Sequence, residues 1–136
     1  MATTIPVSED TRVAQICYIS YEKVDHLIVP NASGADYAQY DFVVASKFCG
    51  IADEAIANGA SGSIHIEEGI QVQTSDLKTG ELTFGTWGQN VYFDATNKKF
   101  SDTSTSGYYL VGYLTAVKDT NGMIVFEKTR YAAVVS

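Results

Sequence analysis

The sequence predicts an all-β domain, a small barrel or sandwich of short antiparallel strands, with a hint of internal two-part organisation. Three observations predict it. Short apolar runs rich in Val, Ile, Tyr and Phe recur along the chain, separated by clusters of Gly, Asn, Asp and Ser. Two of these runs, Ile64–Glu67 and Ile70–Thr74, alternate apolar and polar residues, as a half-buried strand does. Asn121-Gly122 stands between two further runs, and Asn-Gly is a strong hairpin signal because it readily takes positive φ.

Taken in order, residues 1–12 are polar, contain Pro6 and show no period, and read as an extended arm. Residues 13–136 then form a single β domain. Val13–Tyr21 is rich in β-branched and aromatic residues, and Val24–Val29 is a second apolar run ended by the turn cluster Pro30-Asn31-Ala32-Ser33-Gly34. Phe42-Val43-Val44-Ala45 is a strand. Ile51–Ala57 has helix-forming residues but is too short for a stable helix, so a strand, a Gly-rich turn and a strand are expected from Gly50 to Glu67. Asp76–Gly80 reads as a turn or a single helical turn, Leu82-Thr83-Phe84 as a short strand, and Gly85-Thr86-Trp87-Gly88 as a loop. Val91–Phe93 and Tyr108–Val117 are strands around a hydroxyl-rich turn region, Ser101–Gly107. Met123–Glu127 closes the Asn-Gly hairpin, and Tyr131–Val135 is a last short strand or tail. An internal echo links Phe42–Val44, Gly50–Ala52 and Ile64–Glu67 with Val91–Phe93, Gly112–Leu114 and Ile124–Glu127.

A chain of 136 residues with 46% hydrophobic residues buries a sizeable core without a disulfide or structural metal. Cys17 and Cys49 are therefore expected as free, buried thiols, with a bond between them the minority reading. The net charge is −7, and Lys98-Lys99 is the one basic doublet. Nucleic-acid binding draws its affinity from Lys and Arg, so that class is disfavoured. The N-terminus shows neither a charged n-region nor an apolar h-region, and no apolar run approaches the ~20 residues of a membrane-spanning helix. Synthesis in a cytoplasm is the expectation.

The chemistry-bearing residues are sparse. His26 and His65 are the only histidines. His65 and Glu67 point to one face of a strand and could share a metal, but no His- or Cys-rich motif supplies further ligands. A half-buried histidine beside a solvated Glu pair is the favoured reading, and neither metal nor cofactor is expected. No Gly-x-Ser-x-Gly nucleophile motif is present, and Gly59-Ala60-Ser61-Gly62 lacks the Lys-Ser/Thr of a phosphate loop. Trp87 is a ligand platform, an interface anchor or a cover on one end of the fold.

One stretch resembles a known family. Val91, Tyr92 and Asp94, then Lys98-Lys99-Phe100-Ser101, then Leu110-Val111-Gly112 match a strand-turn-strand pattern in small proteins encoded beside major-capsid genes of tailed phages. Gly50-Ile51-Ala52, Ile56–Gly62 and the alternating strand leading to Gly69 are also similar, so the resemblance spans about Val24 to Glu127. It implies a non-enzymatic decoration or cement protein bound to the major capsid protein on the outside of the capsid. A homo-oligomer is implied with it, a trimer first and a dimer second. The recombinase label some members carry finds no support here, because there is neither a phosphate loop nor a basic groove. The residues expected to meet the capsid or a neighbouring subunit are Ile5, Pro6, Val7, Arg12, Trp87 and Tyr108. The alternatives are another virion structural protein (a tail-tube subunit or a carbohydrate-binding head module) and, behind these, a small β-barrel hydrolase using His65 with Glu67.

Overall fold

A computed structural model describes residues 24–79 and 83–136. The proposed arm, the Val13–Tyr21 run and Cys17 lie outside the described residues. Among those described there is no helix, and nine strands are formed. They are β1 (His26–Pro30), β2 (Phe42–Ala45), β3 (Phe48–Ala52), β4 (Ser61–His65), β5 (Gln71–Thr74), β6 (Asn90–Asp94), β7 (Lys99–Ser101), β8 (Tyr109–Ala116) and β9 (Ile124–Val134). The strands pair antiparallel in the order β1-β4-β3-β9-β8-β6-β7, with β2 also on β3 and β5 also on β9, and the sheet does not close into a barrel.

The sheet has two halves, β1–β4 and β5–β9, and each has its own core. Val29, Val43, Ala52, Ile56, Ile64 and Ile66 form the first. Phe93, Phe100, Val111, Leu114, Ile124 and Phe126 lead the second. The continuous apolar run of β2 serves both. Val43 is buried in the first core, whereas the neighbouring Phe42 and Val44 pack on the second. The Phe42 ring lies 4.9 Å from that of Phe93 and 5.1 Å from that of Phe100. A strand buried on both faces needs this unbroken apolar sequence, because successive side chains point to opposite sides.

Where the halves join, β3 and β9 share one ladder position, Phe48 opposite Tyr131. Polar contacts complete the junction. The Ala132 N–H donates to the Lys47 carbonyl at 2.9 Å. Lys128 is 1% exposed, and its ammonium donates to the carbonyls of Ile66 at 3.0 Å and Thr129 at 2.8 Å. Burial pulls the Lys128 pKa down, and these hydrogen bonds are what a buried cation requires. Cys49 is a free, buried thiol beside it, and burial pushes its pKa up.

Several sequence expectations are corrected. Pro30 ends β1 as a strand residue rather than beginning a turn, paired with Ser61 on an edge strand where a missing N–H is tolerated. Thr83 and Phe84 are not in a strand; Phe84 is a fully buried loop residue at φ 36°. Lys99–Ser101, read as turn, is β7, paired with β6. Met123–Glu127 and Tyr131–Val135 are one continuous strand, β9, because the polar Lys128 between them points inward.

The internal echo has a structural counterpart with a shifted register. Each half contains β2-β3-β4 or β6-β8-β9 as three neighbouring antiparallel strands. The central strand of each carries a glycine, Gly50 or Gly112. A Cβ on Gly50 would fall on the His65 carbonyl oxygen, and one on Gly112 would fall on the Glu127 carbonyl oxygen and 2.7 Å from Phe126 Cδ2. The pairs Ile51–His65 and Tyr113–Glu127 then correspond, so His65 matches Glu127. The sequence echo had aligned Glu67 with Glu127, two positions away.

Two carboxylates organise the second half. Asp94 accepts from the Thr96 N–H at 3.1 Å, from Asn97 Nδ2 at 2.8 Å and from Lys78 Nζ at 3.1 Å. Asp102 Oδ2 accepts from the N–H groups of Thr83 at 2.7 Å and Phe84 at 3.3 Å. For both, burial would raise the pKa, but the donated hydrogen bonds outweigh it and hold the carboxyl below the ordinary 3.8. A depressed folded pKa gives stability that is present above the unfolded value and lost as pH falls through the folded one. Urea midpoints are therefore expected to fall as the pH is taken below 3.8, and Asp94→Asn or Asp102→Asn to flatten that fall. Gly50→Ala and Gly112→Ala, which press a methyl group onto backbone, are each expected to cost about 1–3 kcal/mol in urea unfolding.

Candidate functional site

The described residues hold one cluster of chemically versatile side chains and a wider set of exposed apolar ones. The cluster lies on the face formed by β1, β3 and β4. Antiparallel register sets His26 opposite His65, with ring centroids 4.4 Å apart. Asp53 follows β3 directly, and its Oδ2 lies 2.8 Å from His26 Nδ1 and accepts from Ser63 Oγ at 2.6 Å. Burial alone would raise the Asp53 pKa; the bonds from Ser63 and His26 and the nearby imidazoles bring it below the ordinary value. His65 Nε2 meets Glu67 Oε1 at 3.2 Å, as their shared strand face predicts. His26, Asp53 and His65 each offer one metal-ligating atom within 4.8 Å of the others. The spacing of His65 and Glu67 was visible in the sequence. The arrival of His26 and Asp53 depends on the pairing of β1 and β3 with β4, which no local pattern encodes.

Serine, aspartate and histidine are all present here, but in an order unsuited to nucleophilic catalysis. The Ser63 hydroxyl donates to the carboxylate, and the carboxylate stands between it and the imidazole. A catalytic triad needs the imidazole in the middle, where it takes the serine proton.

Of the predicted contact residues, Ile5, Pro6, Val7 and Arg12 lie outside the described residues. Trp87 is 75% exposed on the turn before β6. That turn is pinned to β8, because the Gly88 N–H donates to the Leu114 carbonyl at 2.7 Å and the Leu114 N–H to the Gln89 carbonyl at 2.8 Å. Trp87 is thus a large side chain held out on a firmly tied turn rather than a cover over the core. Tyr108 is half-buried at the opposite end of β8; its N–H donates to Thr105, its carbonyl accepts from Val135, and Lys78 Nζ lies 5.1 Å from its ring centroid. Leu114, which pins the Trp87 turn, lies six residue steps along the strand from Tyr108, roughly 20 Å, so the fold does not bring Trp87 and Tyr108 together. The hydroxyl-rich segment divides: Ser101 is buried in β7, while Thr103–Gly107 is an exposed tip.

Other exposed apolar residues escaped the sequence reading. Ile28 on edge strand β1 is 71% exposed and Tyr131 on β9 is 58% exposed. An apolar groove of ≈ 580 Å³ runs beside β1, lined by Leu27, Ile28, Tyr37, Val44 and Phe48 among others. Tyr131, Tyr113 and Arg130 line a second groove of ≈ 410 Å³. The Phe48 and Tyr131 rings touch across the β3–β9 junction, with centroids 5.4 Å apart, so the grooves flank that junction. Alternation along β9 could have marked Tyr131 as outward-facing, had β9 been recognised as one strand.

The class these features define is a small all-β domain that displays apolar side chains on firmly tied turns and strand edges. More particularly, the chain belongs to the phage cement protein family, whose model matches residues 21–128. No curated protein and no solved structure gives a significant match to the chain. Membership carries a structural role at the phage capsid, in agreement with the resemblance read from Val91–Gly112.

Trp87 is the single tryptophan of the chain, so its environment is directly observable. Its emission in the free protein is expected to be red-shifted and readily quenched by acrylamide, and a blue-shifted, protected emission would contradict the exposed turn.

Proposed function

We propose that this protein is a non-enzymatic decoration protein that binds the outer surface of a tailed-phage capsid, contacts the major capsid protein and stabilises the shell. The family match over residues 21–128 carries this reading. The surface supports it. A decoration protein adds buried area across seams between capsid subunits, and modest contacts suffice when symmetry repeats them. Large apolar side chains presented on an ordered scaffold are the economical way to make such contacts, since little conformational freedom is lost on docking. Trp87 is the leading anchor, with the arm segment Ile5-Pro6-Val7 and Arg12 as the reach toward a neighbour and Tyr108 as a lesser contact. A net charge of −7 disfavours the DNA-filled interior and favours the exterior. Synthesis occurs in the host cytoplasm, and the working form is a trimer at local threefold positions, with a dimer across twofolds the second choice.

The test is cosedimentation of the full chain with expanded capsids. Binding is expected, together with greater resistance of the particles to heat. Failure of the full chain to bind sinks the proposal. Trp87→Ala is expected to weaken binding by at least about 2 kcal/mol, ~30-fold, as for a central aromatic anchor. Deletion of residues 1–12 is expected to weaken binding as well, and equal binding by that variant removes the arm from the contact.

A further inference from the structure

We propose that His26, Asp53 and His65 form a binding site for a divalent transition-metal ion, with zinc as the reference ion, that joins edge strand β1 to β4 and to the residue following β3. Neither the family match nor the capsid-binding proposal assigns this site, and it stands independently of both.

The donor set is two imidazoles and one carboxylate, a combination that suits zinc, nickel, cobalt or copper rather than the oxygen-seeking magnesium and calcium. The three ligating atoms lie within 4.8 Å of one another. A tetrahedral zinc about 2.0–2.1 Å from each donor asks for separations of roughly 3.3 Å. Small side-chain rotations cover the difference, because the side chains are 55% exposed at His26 and 31% exposed at both Asp53 and His65. The backbones are already placed: His26 and His65 are directly paired, and the Asp53 N–H donates to the Ser63 carbonyl at 3.0 Å.

The surroundings match what metal-binding side chains require. An imidazole that ligates through one nitrogen is oriented by a hydrogen bond from the other, often to a carboxylate. Glu67 Oε1 stands 3.2 Å from His65 Nε2 and helps to set the orientation of that ring. Ser63 Oγ, 2.6 Å from Asp53 Oδ2, fixes the carboxylate in the same way. The hydrogen shared between His26 Nδ1 and Asp53 Oδ2 is the one an ion replaces: a neutral imidazole passes it through solvent to its own Nε2, a protonated imidazole releases it to solvent, and no redox step is involved. Solvent reaches the remaining coordination position, where water is the ligand in the isolated protein.

The structural consequence is specific. Among the described strands β1 pairs with β4 alone, and the His26–Asp53 contact already links it to the residue following β3. An ion bound by residues 26, 53 and 65 strengthens that link by joining all three segments through one centre.

The experiment is isothermal titration calorimetry of the full chain with zinc chloride in a chelator-free buffer at neutral pH, paired with thermal unfolding. One zinc per chain is expected, with a higher unfolding midpoint in its presence. His26→Ala and His65→Ala are each expected to abolish measurable binding and the zinc-dependent midpoint shift. Glu67→Gln is expected to weaken binding about 10–100-fold while leaving one site. Magnesium chloride at equal concentration is expected to give no heat. Circular dichroism checks that each variant is folded, and His65→Gln replaces His65→Ala should the latter unfold. Absence of zinc binding by the wild-type chain overturns the proposal and leaves a hydrogen-bonded His-Asp-Ser cluster. Zinc binding that survives the combined His26→Ala and His65→Ala change overturns it equally, because the ion then binds elsewhere.

Discussion

The rest of the structure depends on the burial of β2 and β3 on both faces. Phe42 and Val44 look into the core built by β5–β9, and Val43 looks into the core closed by β1 and β4. One strand pair is therefore a wall shared by two small cores, neither of which is large for a domain. Their union lets the described residues bury together the apolar surface that neither core would cover alone. The backbone ladder contributes little to that union, since β3 and β9 meet at one paired position. Side chains do the joining: the ring cluster of Phe42, Phe93, Phe100 and Phe126, and the Lys128 ammonium reaching the Ile66 carbonyl.

What was legible in the sequence follows from this arrangement. β2 could be read because a doubly buried strand is apolar throughout. β5 could be read because it alternates, and β4 only in part: it begins at Ser61, inside the expected Gly-rich turn, and ends at His65, short of Glu67. β7 was hidden, because Lys99-Phe100-Ser101 sits among turn formers and its only strong strand residue is Phe100. β9 was split in two because Lys128, Thr129 and Arg130 look like solvated turn residues, whereas Lys128 is buried and Arg130 reaches the Val24 carbonyl at 2.8 Å. The candidate site divides along the same line. Trp87 was marked by its glycine-flanked loop. The partnership of His26, Asp53 and His65 is made by strand pairing over long separations, and single-sequence periodicity carries no term for that.

The motif that carries the family resemblance turns out to be scaffolding. Asp94 gathers the turn that follows β6, and Lys98 holds a left-handed φ of 56° within it. Gly112 is required where β8 runs close over Glu127. These residues set the turn after β6 and the close approach of β8 to β9, so their positions are constrained by the fold itself.

The Arg130 bond to Val24 has a mechanical meaning. A pull applied at Val24 would load β1 from its first residues and unzip it from β4 one hydrogen-bonded pair at a time, the weak direction for an antiparallel pair. Arg130 diverts part of that load onto β9, the longest strand and the one most fully embedded in the sheet. The His26–Asp53 contact places a second catch one step further in. The start of β1 is thus reinforced against peeling from β4.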